Sequence, residues 1–163
     1  MKLETLRDLL IEELQDIYDA EHQIIEALPK MKRAAKADKL KQSFQEHLDV
    51  TRQQVSRLEQ VFEMLDQKPK RKSCKAMKGL IKEGEDMIEE EADRDVKDAG
   101  LIAAAQRVEH YEIAAYGTAM AYAKQIGLDQ AISLLSQTLD EEKMTDEKLT
   151  QLAESTINIK AAQ

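Results

Sequence analysis

Apolar residues recur along this chain at spacings of three, four and seven, the period of a helix with one buried face. The first such segment runs from about Leu3 to Ala35, striped by Leu3, Leu10, Leu14, Ile17, Ile24, Ile25 and Leu28. Pro29 falls late in it, where a missing N–H and a bulky ring predict a kink or break. A short turn at Ala37-Asp38-Lys39 leads to a second segment, Lys39 to Asp66, striped by Leu40, Phe44, Val50, Leu58, Val61 and Leu65. The charge-rich QKPKRKS ends it. Residues 74–93 form a shorter helical unit around Met77, Leu80, Ile81, Met87 and Ile88. Gly79 and Gly84 weaken that unit by about 1 kcal/mol each relative to Ala. They mark either close packing or local looseness. Asp95 to Ile126 is the third long segment, with Gly127 suited to follow its last turn. The fourth runs from Asp129 to Thr156, striped by Ile132, Leu135, Leu139, Leu149 and Ala153. The residues beyond it are expected to fray.

The connections carry the topology. The first and second helices are joined by a short turn, as are the third and fourth, and short turns make antiparallel neighbours. The middle crossover takes roughly thirty residues and holds the extra helix. Two hairpins joined by one long crossover describe an all-α, ferritin-like four-helix bundle, with the extra short helix in the crossover. The whole chain, 1–163, reads as one domain.

Each stripe is interrupted near its middle by polar groups. Glu21 lies within about 40° of Leu14, Ile17, Ile25 and Leu28 around its helix. Glu109 lies within about 40° of Ile102, Ala105, Ile113 and Tyr116, and Glu112 sits near the edge of that face. Glu142 falls beside Leu135, Thr138 and Leu149, with Asp146 one turn on. The second helix offers His47, Thr51 and Gln54. A buried unpaired carboxylate costs several kcal/mol, and several in one core repel and take up protons. A pair of metal ions removes both costs, and carboxylates with a few imidazoles suit iron or manganese. Centring the two short turns brings Glu21, Glu112, Glu142 and Asp146 to one level. His47 then lies about one turn away, and Glu109 one turn from Glu112.

Composition supports this picture and removes others. Good helix formers dominate, with five Gly, two Pro and no Trp, too few turn and aromatic residues for a β-rich fold. A net charge of −8 repels nucleic acid and anionic membranes. The KPKRK cluster at 68–72 reads as a solvated loop. The lone Cys74 allows no intrachain disulfide and fits a reducing, cytoplasmic setting. Cys74 reads as a packed thiol, His22 and His110 as surface residues, and the tyrosines as packing. No signal-peptide pattern or membrane-length apolar run is present. No Ser–His or Cys–His arrangement points to a hydrolase.

The stretches DIYDAEHQIIEALPKM, EHLDVTRQQVSRLEQVFE, CKAMKGLIKEGE, LIAAAQRVEHYEIAAYGTA and TLDEEKMTDEKLTQLA resemble the YciE/YciF family of ferritin-like bacterial stress proteins. The resemblance covers about residues 3–156, and VEHYEIAAYGT and EEKMTD are its most specific parts. It implies a homodimer and a di-metal site, with Glu21, Glu109, Glu112, Glu142 and Asp146 as acidic ligands and His47 as the histidine. The family pattern after that histidine often reads His-Leu-Glu-Glu-Thr. Here it reads His47-Leu48-Asp49-Val50-Thr51, which puts Val50 at the inward position where a Glu would face Glu21. The leading reading is a stress protein whose iron or manganese, dinuclear where both ions are held, handles oxidants. The alternative is a non-catalytic dimeric bundle that binds other stress proteins and keeps a vestigial, salt-bridged site. A multi-subunit storage cage has no feature demanding it.

Overall fold

The computed structural model of the chain describes residues 2–163. Its long helices are α1 (Leu6–Ala34), α2 (Asp38–Met64), α4 (Arg94–Gln125) and α5 (Asp129–Leu152), with α3 (Lys75–Glu89) in the crossover. α1 packs on α2 and α4, and α5 packs on the same two, which closes a four-helix ring. α3 lies across α1 and α4. The fold is the ferritin-like bundle that the connections predicted. No helix among the described residues is long and apolar enough to cross a membrane.

Local chemistry sets the helix ends. Thr5 and Asp8 form a reciprocal capping box at the start of α1, and Asp93 accepts from the Asp95 and Val96 N–H groups at the start of α4. Gly127 follows α4 with φ 73°, the left-handed conformation a Gly adopts without strain. The α1–α2 turn is held from outside: the buried Asp98 of α4 accepts from the backbone N–H of Lys36 at 2.7 Å and of Ala37 at 2.8 Å.

Three expectations change. Pro29 does not break α1, which continues for five residues to Ala34. Leu28, Met31 and Ala35 are all buried on either side of it, so packing holds the last turn against the lost hydrogen bond. The C-terminus does not fray after Thr156. A π-helical turn (Ala153–Ile157) passes into α6 (Asn158–Ala161), and the buried Ala153 and Ile157 tie it to the core. The two crossover glycines also separate. Gly84 is buried facing Met31 and Ala104, whereas a side chain at Gly79 would meet open space. Gly100 carries no signal in the sequence pattern, yet a Cβ there would collide with the Met87 side chain. A bare backbone there lets α3 approach α4.

KPKRK is an exposed loop, as expected, but it is anchored. Arg71 pairs with Asp19 at 2.7 Å, and Lys72 pairs with Glu12. Replacing Asp98 by Ala leaves two N–H groups of the α1–α2 turn without their acceptor. We expect a loss of about 2–4 kcal/mol, read as a lower urea midpoint at unchanged slope.

Candidate metal centre

The bundle core is two apolar clusters with a polar layer between them. One cluster gathers Ala20, Ile24, Leu48, Ala105, Leu149 and their neighbours. The other gathers Ile17, Leu58, Tyr116, Leu139 and their neighbours. Between them each long helix contributes polar side chains: Glu21 from α1; His47, Thr51 and Gln54 from α2; Glu109 and Glu112 from α4; Thr138 and Glu142 from α5. All are buried, and Glu21, Glu109 and Glu142 are 0% exposed.

Donor atoms of His47, Glu109, Glu112 and Glu142 lie within 4.8 Å of one another. Glu21 adjoins Glu112 on the α1 side, and its carboxylate accepts a hydrogen bond from the buried Tyr116 hydroxyl. Gln54 donates its amide N–H to Glu142. His47 Nδ1 stands 3.2 Å from Glu109 Oε1, at ion-pair distance but outside hydrogen-bond geometry. Thr51 spends its hydroxyl on the His47 carbonyl at 2.8 Å.

What remains is a set of buried polar atoms that face one another without a hydrogen bond. Both oxygens of Glu109 and of Glu112, one each of Glu21 and Glu142, Gln54 Oε1 and His47 Nε2 have no hydrogen-bond partner. Among the described residues, no other buried side-chain nitrogen or oxygen lacks one. Each such group costs about 1–3 kcal/mol, more when charged. No Lys or Arg among the described residues pairs with these four glutamates, so the salt-bridged form of the alternative reading finds no partners. The nearest guanidinium, Arg57, is already clasped by Glu141 at 2.6 and 2.7 Å and by Thr138 at 3.0 Å.

Electrostatics follow from this crowding. Burial, then the charge of Glu142, pushes Glu21 up to about 8. The same two causes hold Glu109 and Glu112 well above the usual carboxylate range. Burial lowers His47, so its ring is neutral and able to ligate. Hard carboxylate oxygens, an amide oxygen and one imidazole, converging in a dry layer, make a donor set suited to iron or manganese. The residues present therefore fit the metal pair that the fold implies.

Two sequence expectations are corrected. Asp146 is not part of the converging group. Its side chain is 21% exposed and engaged by His110 at 3.1 Å and Gln106 at 3.2 Å, one turn beyond Glu142. Val50 does not occupy the inward position. It is half-buried, while Thr51 and Gln54 are 0% exposed and face the layer. Centring the α1–α2 turn puts residues 50–52 at the level of Glu21, and of these Thr51 is the inward one; Val50 stands about 100° of helix away from it. Glu112, read as an edge residue, is fully inward. The hydrogen bond from Tyr116 to Glu21 was not foreseen, because nothing in a helical stripe separates a packed phenol from a bonded one. The Arg57–Glu141 pair was also missed. Its sequence trace is an Arg one turn past Gln54 and a Glu beside Glu142.

Residues 5–162 match a family described as a domain of unknown function, DUF892. This chain belongs to that family. Protein YciF of Escherichia coli (strain K12) is 49% identical over 162 residues, which cover 99% of this chain and 98% of that one. The crystal structure of the E. coli stress protein YciF superposes with a TM-score of 0.92 over 96% of this chain and 99% of the other, at 48% identity. YcfI from Rhodopseudomonas palustris gives 0.90 at 47% identity, over 91% and 95%. A structure of ferritin-like, diiron-carboxylate proteins from Bacillus anthracis str. Ames gives 0.71 at 15% identity, over 93% and 99%. At that identity the family shares its fold with these proteins and nothing more is carried over.

The raised carboxyls set a pH dependence for the metal-free protein. Between about 4.5 and about 8 the unfolded chain loses a proton that folded Glu21 retains. Glu109 and Glu112 act in the same direction. Stability from these groups is full below the unfolded value and is lost as pH rises through the folded one. Urea midpoints of the metal-free protein should therefore fall across this window, and Glu109→Gln should flatten the fall. A midpoint that rises steadily over the same range would contradict it.

Proposed function

We propose that the polar layer holds a pair of iron or manganese ions and that the protein handles oxidants in a stress response. The carrying observation is the set of unpartnered buried atoms confined to one level of the bundle. The stress role is supported by the identity to YciF, and the metal pair by the fold shared with the diiron-carboxylate proteins. Glu21, Glu109, Glu112 and Glu142 would hold the ions, with His47 and the Gln54 amide oxygen from α2. Asp146 would act from one turn away, orienting His110 and Gln106 at the rim rather than ligating.

When bound, a ferrous pair supplies two electrons, which with two protons reduce dioxygen to hydrogen peroxide, or hydrogen peroxide to two waters. The chain's own residues supply the setting. The two apolar clusters exclude water from both sides of the layer. The Tyr116 hydroxyl fixes one Glu21 oxygen and leaves the other free. The Gln54 amide does the same for Glu142. The same reading takes the chain as one folding unit and a cytoplasmic homodimer, whose size gel filtration measures directly.

Loaded anaerobically with Fe(II), the purified protein should take up about two equivalents per chain. At a hundredfold excess over Kd, binding should add roughly 2.7 kcal/mol, a rise in Tm of about 5–11 °C. Glu109→Ala combined with Glu142→Ala should abolish both uptake and stabilisation. Uptake below about 0.2 equivalents by the unaltered protein would sink the reading.

A further inference from the structure

A second feature lies on the α3 side of the layer, against His47. A cavity of about 40 Å³ lies where α3 crosses α1 and α4, and His47 forms part of its wall. The only other polar wall members are Lys30 and Glu85, ion-paired at 2.9 Å; Lys30 is the one exposed residue of the wall and marks the outer end. The rest is apolar or glycine, including Ile24, Ile81, Gly84, Ala104 and Ala105. The volume exceeds the roughly 10–15 Å³ that one water-sized probe occupies. A void of this size with so few polar groups gives water little to bond to, and such voids instead take small apolar guests. Small side chains keep it open: a Cβ at Gly84 would stand 3.7 Å from Met31 Sδ and 3.8 Å from Ala104 Cβ, so Ala fits there and a longer side chain does not.

We propose that this cavity is a binding pocket for dioxygen, and that it delivers dioxygen to the polar layer past His47. The inference rests on the reading of the layer as a metal centre and names the oxidant for it. Dioxygen is small and apolar and partitions into such a wall. Hydrogen peroxide carries two O–H groups that the wall cannot satisfy. His47 belongs to both the pocket wall and the group of converging donors. The pocket and the layer therefore share one side chain, the His47 ring, as their common wall.

The first test uses metal-free protein and does not depend on metal uptake. Dissolved dioxygen is paramagnetic and speeds relaxation of the methyl groups it visits. In methyl NMR spectra under oxygen pressure, the Ile24 and Ile81 methyls should show at least threefold greater enhancement than Leu14 and Leu135, which are buried in the other cluster. Gly84→Leu should remove the excess and Gly84→Ala should keep it. Ile81→Phe, read at Ile24, gives a second filled pocket should Gly84→Leu fail to fold. Equal enhancement in the two clusters, or enhancement untouched by filling, overturns the proposal. The second test uses Fe(II)-loaded protein. Filling the pocket should slow oxidation by dioxygen at least fivefold while leaving anaerobic Fe(II) affinity and oxidation by hydrogen peroxide within twofold. Slowing of both oxidants alike, or of neither, also overturns it. Failure to take up Fe(II) removes the metal reading, and the relaxation result then still decides whether the pocket holds dioxygen.

Discussion

The structure turns on one electrostatic imbalance. Four glutamates sit at one level of a helical core, each fully or almost fully shielded from water, with no Lys or Arg beside them. An apolar residue at any of these positions would remove a buried carboxyl group and its desolvation cost. Everything around the layer is arranged to keep the carboxylates buried rather than to neutralise them. Arg57, whose partner Thr138 belongs to the layer, is turned to Glu141 and Thr138. Tyr116 and Gln54 each donate one hydrogen bond to one carboxylate and leave its second oxygen bare. That pattern holds side chains in position without satisfying them, as a preorganised ligand set requires.

The rest of the bundle carries the cost. The two apolar clusters above and below the layer are contributed by the same four helices, so the layer cannot open without separating both. The Asp98 clasp ties the α1–α2 turn to α4, the helix that carries Glu109 and Glu112. Gly100 allows α3 to settle on α4 through Met87, and that contact closes the α3 side of the upper cluster. Local backbone chemistry thus determines which side chains share a level.

Much of this was legible in the chain. Glu21, Glu109 and Glu142 stood out because a period of 3.6 leaves no room for a carboxylate inside an apolar stripe. The long crossover between two hairpins distinguished the ferritin-like bundle from an up-down-up-down one. The failures have physical origins. Level along the bundle depends on where each turn is centred, and the level so assigned puts Asp146 among the ligands. Val50 reads inward by the family pattern, although the stripe itself already offers Thr51 and Gln54 on that helix. Rim and core are also one turn apart, and only packing decides between them. Asp146 faces His110 and Gln106 because α4 presents those two groups at its level. Tyr116 was visible as an apolar neighbour of Glu109, but the hydroxyl's partner sits on α1, and no pattern within one helix reveals a bond to another.

The charge count of the layer bears on its chemistry. α2 supplies His47 and Gln54, both neutral donors, where the other three helices supply carboxylates. The four glutamates carry four negative charges when ionised. On the proposed reading, two divalent cations balance them, and the layer becomes neutral in surroundings that tolerate little net charge. A fifth carboxylate from α2 would have left the divalent pair overcompensated and would have favoured the trivalent state. On that reading, neutral donors on α2 would shift the balance toward the reduced pair, and the residue types on α2 would not delete a ligand position. They would place an imidazole and an amide where one more carboxylate would have made the metal pair easier to oxidise.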